Sequence, residues 1–275
     1  LYANDKAKKL LGKGIVEVEK PDRLSEIYDA YVAGTDTLYP HEELPIVKAL
    51  NSVESEIDDL EIKKGDYRLL MRIKAVPVYD QEGKIVSAIA SFDDITEMRE
   101  AERTINVKNK EISSSINYAK RIQKAILPDI NEIKQALPES FILYKPKDVV
   151  SGDFYWFSKI DDYILIAAVD CTGHGVPGAF MSLIGNDMLN SIAKDAPDLE
   201  VSDMLEMLNY KVKKALYQGE NGQGIHDGMD IALCKINRKD GEVEFAGAYR
   251  PLYYFSGGEL VQSKGDKISV GGRRR

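Results

Sequence analysis

Two aspartates, Asp153 and Asp170, lie at the outer ends of a segment with the pattern of a β-hairpin. The apolar runs 154–157 and 163–169 are rich in residues that favour strands, and the polar Asp-Asp pair between them predicts a turn. If the chain turns at this pair, Asp153 and Asp170 are equally far from the turn and face each other across the two strands. A turn one residue longer would place them on opposite faces of the sheet.

Two facing carboxylates need a compensating charge or a proton. Their Cβ atoms are ~5 Å apart, and like charges at that distance destabilise a sheet. The pair either shares a proton, which raises one pKa, or binds a divalent cation. Gly173 and Gly175 permit a tight turn directly after Asp170, and Pro177 predicts a helix that continues through Ile192. Carboxylates beside such exposed main-chain carbonyls suit Mg²⁺ or Mn²⁺ better than zinc.

Other residues near this segment have two interpretations each. The two facing aspartates are either metal ligands or ordinary strand-end residues. Cys171 and His174 form a Cys-x-x-His, but no second ligand pair has suitable spacing for zinc, which favours a turn role for His174. Asp230 enters an apolar strand and lies either near the site or merely at a strand edge. Arg250, between a tyrosine and a proline, is either a ligand of a substrate phosphate or a solvated turn residue.

Four segments resemble a known family, the SpoIIE branch of the metal-dependent PPM-type serine/threonine phosphatases. The resemblance covers roughly residues 115–275. The segments are VVSGDFYWF at 149–157, AAVDCTGHGVPGAFMS at 167–182, DGMDIALCKI at 227–236 and EFAGAYRPLYYF at 244–255.

The resemblance implies a fold, a reaction and a set of ligands. The fold is an α/β-sandwich of two antiparallel sheets flanked by helices. The reaction is hydrolysis of phosphoserine or phosphothreonine by metal-bound water at a site for two Mn²⁺ or Mg²⁺ ions. Asp153 and Asp170 would be the catalytic metal ligands, together with the backbone carbonyl of Cys171. The implied substrate is a phosphorylated regulatory protein of the anti-anti-sigma type.

The family has further metal-binding aspartates downstream of the region equivalent to residues 267–272. The sequence given reaches residue 275. As it stands, it is therefore expected to bind metal weakly and to hydrolyse little. Residues 242–275 are also expected to be incompletely covered, because the closing strands of the sandwich would follow them.

Composition limits the remaining choices. With 275 residues, of which 44% are hydrophobic, the chain has enough material for two domains. A net charge of −8 without dense basic patches argues against nucleic acid as a partner. Cys171 and Cys234 lie in or beside apolar strands, as in a protein of the reducing cytoplasm. No run approaches the ~18 apolar residues of a membrane span. This observation concerns residues 1–275 alone, and a receptor or membrane anchor upstream is compatible with it.

The N-terminal part, residues 1–94, is predicted to be a separate α+β unit. Segments 2–12 and 68–102 resemble a PAS sensor domain without its first strands, whose ligand the sequence does not identify. His41 lies in a polar loop and is predicted to be solvated rather than a haem ligand. The predicted elements are helices at 4–11, 23–33 and 45–53 and strands at 67–79 and 84–93.

Residues 95–127 are predicted to form a helical coiled-coil linker that pairs two copies in parallel as a homodimer. The alternative is a single amphipathic helix docked on one of the domains. Pro128 then ends the helix and opens the catalytic domain, 128–275. Apolar residues recur at every seventh position of the linker, namely Met98, Ile105, Ile112, Ala119 and Ile126.

Together these features predict a PAS-like domain, a coiled-coil helix and an incomplete α/β-sandwich of PPM phosphatase type. The predicted function is that of a PAS-regulated, metal-dependent protein phosphatase. The alternative is a non-catalytic signalling module whose phosphatase-like domain only binds a partner. Further acidic residues at the family's ligand positions would favour catalysis over binding.

Overall fold

The structure is a computed structural model and describes residues 3–13, 23–218 and 224–272. The chain forms two compact units, Leu1–Asn109 and Lys110–Arg275, and the division falls inside the predicted linker. Each unit has its own hydrophobic core. Among the described residues, no helix is both long and apolar enough to cross a membrane.

The first unit is built on a four-stranded antiparallel sheet in the order β1-β2-β3-β4. Its core residues include Leu60, Ile62 and Met71 from the two central strands. A single turn of 3₁₀ helix, His41–Glu43, precedes the third helix. The elements are α1 (Asp5–Leu11), α2 (Leu24–Ile27), β1 (Ala30–Val32), α3 (Pro45–Leu50), β2 (Ser55–Lys64), β3 (Tyr67–Tyr79), β4 (Ile85–Asp94) and the first part of α4 (Thr96–Ile126).

The structure differs from the sequence-based expectations for this unit at three places. The helix predicted at 23–33 ends at Ile27, because Asp29 adopts a left-handed φ of 50° and the chain then pairs with β2 as a strand. Strand β2 was missed, because a register shift between Ile57 and Leu60 interrupts its apolar alternation. His41 is half-buried rather than solvated, and its Nδ1 is enclosed without a hydrogen-bond partner among the described residues.

The second unit contains a five-stranded antiparallel sheet in the order β11-β7-β6-β5, with β8 also paired to β7. Strands β9 and β10 form a separate two-stranded ribbon. The elements after α4 are α5 (Ile130–Ala136), β5 (Phe154–Ile160), β6 (Tyr163–Cys171), α6 (Gly175–Asp195), α7 (Val201–Ala215), β7 (Gly228–Asn237), β8 (Val243–Ala248), β9 (Leu252–Ser256), β10 (Glu259–Ser263) and β11 (Val270–Gly271).

Alternate residues of each strand face opposite layers. Trp156, Leu165 and Ile231 point into the main core with α6 and α7, whereas Phe157 and Ile164 pack with α5 on the other face. Of the implied sandwich of two sheets, the described part of the chain contains one large sheet, and helix α5 packs on its second face through a small cluster around Ile133. The prediction that residues 242–275 are incompletely covered holds for the exposed β9–β10 ribbon but not for β8 and β11, which pair with β7 and place Ala248 and Val270 in the core.

Helix α4 is continuous over 31 residues. The heptad residues Ile105 and Ile112 are 59% and 57% exposed. The helix predicted from Pro177 is confirmed as α6, which begins at Gly175 and runs past Ile192. Pairing of α4 with a second copy stays a prediction.

The core of the second unit predicts a large cost for removing Leu208, which is 0% exposed in α7. Leu208→Ala should lower the free energy of unfolding of this unit by about 3 kcal/mol, since it leaves a cavity. The chain has one tryptophan, Trp156 in the same core, so its fluorescence in a urea titration reports on this unit.

The control is Leu260→Ala, at a position 62% exposed on the ribbon, where a change within about 0.5 kcal/mol is expected. Equal destabilisation by the two substitutions would contradict the core described above.

Candidate metal centre

The hairpin has the predicted register. Strands β5 and β6 pair from Phe154 with Val169 to Ile160 with Tyr163, and the chain turns at the Asp-Asp pair between them. Asp153 directly precedes Phe154, so it faces Asp170, the next residue of β6 after Val169. The two aspartates are therefore brought together, as expected from the sequence.

A third carboxylate extends this pair into a row. Asp230 of β7 is the register partner of Asp170, on the other side of the central strand β6. Directly paired residues share a face of the sheet. Asp153, Asp170 and Asp230 therefore lie on one face, across three adjacent strands and at the same end of the sheet. We call these three residues the carboxylate row.

An arginine supplies positive charge to this row. The guanidinium of Arg250 donates a hydrogen bond to the Asp170 carboxylate and lies 3.8 Å from Oδ2 of Asp230. Ser269 donates its hydroxyl hydrogen to Oδ1 of Asp230 at 2.6 Å. Arg250 is exposed after the end of β8, as the solvated-turn interpretation predicts, but its guanidinium is also ion-paired with Asp170. Its contact with a substrate phosphate stays a prediction.

The pKa of Asp153 reflects its burial and its neighbours in the carboxylate row. Burial raises the pKa of the Asp153 carboxyl above its ordinary value, and the hydrogen-bonded carboxylate of Asp170 raises it further. The positive charge of Arg250 acts in the opposite direction without cancelling the shift. The negative charge at this pair is therefore only partly compensated by the protein.

Close backbone packing fixes the two loops that carry the pair. We call residues 150–153 the SGD loop and residues 171–175 the glycine turn. A Cβ added to Gly152 would lie 2.6 Å from the carbonyl oxygen of Gly173 and 3.2 Å from that of Cys171. The Cys171 carbonyl thus faces the SGD loop, where the family resemblance implies a metal ligand. Only glycine at 152 permits this approach.

Zinc does not fit these residues. The thiol of Cys171 is buried, and burial raises its pKa well above the usual range, which disfavours the thiolate that zinc requires. Nδ1 of His174 lies 2.8 Å from Oδ2 of Asp148, so the histidine is engaged at the start of α6. This position matches the predicted turn role of His174.

The donor set fits part of a site for Mg²⁺ or Mn²⁺. Hard oxygen ligands are available from Asp153, Asp170 and the Cys171 carbonyl, and the two carboxylates face each other across the hairpin. Within residues 3–13, 23–218 and 224–272, however, no three His, Cys, Asp or Glu side chains are arranged around one ion position. Arg250 and Ser269 hold the oxygens of Asp170 and Asp230 instead.

A cavity of about 620 Å³ opens beside the carboxylate row. Asp170 and Asp230 line it together with Lys267 and Ser269. Lys267 and Ser269 could not be predicted as site residues, because their segment has no apolar periodicity or motif that indicates its structure. The cavity is large enough for a phosphorylated side chain and has charges of both signs on its wall.

Part of the second unit matches a known protein family. Residues 160–270 match the family model described as stage II sporulation protein E (SpoIIE). The chain is also similar to a solved structure, the SiaA-PP2C domain of Pseudomonas aeruginosa, with 34% identity and a TM-score of 0.54. The similarity covers 60% of this chain and 64% of that one. A SpoIIE-type PP2C phosphatase domain in the second unit is supported by both matches.

A second solved structure has a lower identity and a lower TM-score. It is the structure of the PP2C phosphatase domain and a fragment of the regulatory domain of SpoIIE from Bacillus subtilis, with 14% identity and a TM-score of 0.39. It covers 82% of this chain and 61% of that one. No curated protein matches the chain.

The chain spans less than two thirds of the SiaA-PP2C structure that it matches, and the similarity lies with phosphatase domains of the PP2C type. PP2C phosphatases generally depend on Mn²⁺ or Mg²⁺. The oxygen-rich end of the sheet is consistent with such an ion. Asp153, Asp170 and the Cys171 carbonyl remain predicted ligands.

The pKa of Asp153 tests the carboxylate row directly. Asp170→Asn should lower this pKa toward the ordinary value, because it removes a neighbouring negative charge, whereas Arg250→Ala should raise it further. A raised carboxyl pKa favours the folded state at low pH, and this contribution is lost as the pH rises through it. Carboxyl ¹³C NMR titration without added metal measures both shifts.

The two variants serve as controls for each other, since the expected shifts have opposite signs. Shifts of the same sign, or no shift with Asp170→Asn, would show that Asp170 does not face Asp153.

Proposed function

We propose that this protein is a metal-dependent phosphatase that hydrolyses phosphoserine or phosphothreonine on a regulatory protein of the anti-anti-sigma type. The single observation that carries the proposal is the carboxylate row, whose three acidic residues lie in register at one end of the sheet beside a cavity. Acidic residues placed in this way cost stability unless they bind positive charge. The location proposed for the reaction is the cytoplasm.

In this proposal Asp153, Asp170 and the backbone carbonyl of Cys171 hold a divalent cation, Mn²⁺ or Mg²⁺. When bound, such an ion neutralises phosphoryl oxygens and lowers the pKa of water at the site. The two carboxylates orient the ion and set its charge environment. Gly152 keeps the SGD loop against the glycine turn, which holds the carboxylates and the carbonyl at one place.

Arg250 is the proposed ligand of the substrate phosphate. Its side chain is 45% exposed, and its guanidinium contacts Asp170 and lies near Asp230, two residues that line the cavity. A cation bound by Asp170 would compete with this ion pair and free the guanidinium for a charge-assisted hydrogen bond to a phosphate oxygen. Lys267, on the cavity wall, adds a second positive charge for an anionic substrate.

The first unit and α4 are proposed to regulate this site. The four-stranded sheet with its short helices would be a PAS-like sensor of an unidentified ligand. The exposed heptad residues of α4 would pair with a second copy as a parallel coiled coil, since apolar residues at this period bury their surface in that way. A signal in the sensor would then change how the two helices pack.

The alternative function is a non-catalytic module that binds a phosphorylated partner. It is favoured by the ion pair of Arg250 with Asp170, which fills part of the site without a metal. Binding of a phosphopeptide without hydrolysis in saturating Mn²⁺ would support this alternative over the phosphatase.

Asp170→Asn should abolish most of the activity. In the full-length protein, which would carry the further metal ligands, we expect Mn²⁺-dependent hydrolysis of a phosphothreonine peptide to fall at least about 100-fold, because a metal contributes several kcal/mol of charge stabilisation. Chelation with EDTA should reduce the wild-type rate to the same level. Phosphate release measured over a Mn²⁺ titration gives both results.

Asp162→Asn is the matched control, since Asp162 lies at the other end of the same hairpin, paired with Lys239. It should keep the wild-type rate. Equal rates for wild type and Asp170→Asn would remove Asp170 from the mechanism.

The regulatory proposal predicts that the phase of α4 matters. Inserting one residue near Asn109 shifts the heptad phase and should change the hydrolysis rate without unfolding either unit. Inserting seven residues restores the phase and should leave the rate close to that of the wild type. Unchanged activity after the one-residue insertion would count against control through the helix pair.

A further inference from the structure

The only buried residue of helix α4 is polar. Gln123 lies near the C-terminal end of the helix and is 4% exposed. Burial of an amide side chain is unfavourable unless its hydrogen-bonding groups are satisfied. A leucine at this position would bury as much surface without that requirement, so the amide itself calls for an explanation.

The amide of Gln123 makes three hydrogen bonds, all within the second unit. Its Nε2 donates to the carbonyl oxygen of Ser151 at 2.6 Å and to Oγ of Ser182 at 2.7 Å, and its Oε1 accepts from the backbone N–H of Ser151 at 3.0 Å. If Oε1 and Nε2 were exchanged, the side-chain NH₂ group would face the backbone N–H of Ser151, and two donors would meet. The hydrogen bonds therefore determine the orientation of the Gln123 amide. Both donors of the amide are used.

One more hydrogen bond connects Ser151 to Asp153, a predicted metal ligand. The hydroxyl of Ser151 accepts the backbone N–H of Asp153 at 3.0 Å. Ser182 belongs to α6, the helix that begins at the glycine turn. Gln123 therefore joins the end of α4 both to the SGD loop and to the helix that follows Asp170.

The two loops cannot move independently of each other. A Cβ on Gly178 of α6 would lie 2.9 Å from Cα of Gly152 and 2.6 Å from the Gly173 carbonyl oxygen. The SGD loop, the glycine turn and the first turn of α6 are thus in backbone contact. A displacement applied at Ser151 is passed to the loops that carry Asp153 and Asp170.

We propose that Gln123 is a positioning residue that couples helix α4 to the metal site. Rotation or shift of the end of α4 moves Ser151 through the two backbone hydrogen bonds, and Ser151 moves Asp153. The affinity of the site for Mn²⁺ therefore depends on the position of α4. This inference rests on the proposed function only in taking the carboxylate row as a cation site.

The first test is the variant Gln123→Met, which keeps an unbranched side chain of similar size and removes all three hydrogen bonds. The backbone N–H hydrogen of Ser151 should exchange with solvent at least about tenfold faster, because it loses the Gln123 oxygen as its acceptor. The dissociation constant for Mn²⁺, from the electron paramagnetic resonance signal of the free ion, should rise about fivefold. Lys124→Ala, an exposed neighbour on α4, should change neither.

Both measurements are made under conditions in which Trp156 fluorescence shows that the second unit is fully folded. An effect on Mn²⁺ binding is then due to the position of the ligands and not to unfolding. Should Gln123→Met fail to fold, Ser182→Ala removes one of the three bonds and should weaken Mn²⁺ binding about twofold. An unchanged dissociation constant in a folded Gln123→Met or in Ser182→Ala would overturn the proposal.

The second test combines Gln123→Met with the one-residue insertion near Asn109. In the wild-type background the insertion should change the Mn²⁺ dissociation constant, and in the Gln123→Met background it should have no further effect. Additive effects would overturn the coupling. Neither readout requires hydrolysis, so Mn²⁺ binding that responds as expected in a protein without phosphatase activity would contradict the proposed function and still support this inference.

Discussion

The arrangement of this protein depends on the repulsion among three carboxylates at one end of a sheet. Pairing of β5, β6 and β7 places Asp153, Asp170 and Asp230 side by side, and nothing in the sheet itself stabilises them there. The polar contacts at this end of the sheet compensate for the repulsion: Arg250 pairs with the central carboxylate, and Ser269 holds the outer one. A cation at the same place would reduce the repulsion that these contacts leave.

The local part of this site could be predicted from the sequence. A short polar turn between two apolar runs determines the register of a hairpin, so the facing of Asp153 and Asp170 followed from their equal distance to the turn. The glycine turn and the start of α6 were equally local, because glycine and proline limit the backbone within a few residues. Interactions over short sequence separations leave few alternatives for the fold.

The remainder depends on contacts between distant segments. Asp230 joins the row only after two helices, α6 and α7, return the chain to the sheet, and no spacing rule gives that register in advance. The ion pair of Arg250 spans a similar separation. Gln123 lies between the heptad residues Ala119 and Ile126 and belongs to no sequence pattern, so its burial became visible only from its partners Ser151 and Ser182.

A buried amide is a poor way to stabilise a helix contact and a good way to define its position. Apolar packing tolerates small sliding movements, whereas the hydrogen bonds of Gln123 require their partners at fixed distances and directions. Since Ser151 is bound through both its N–H and its carbonyl oxygen, the SGD loop follows the helix instead of sliding along it. The same rigidity that holds Asp153 beside Asp170 therefore makes their spacing depend on helix α4.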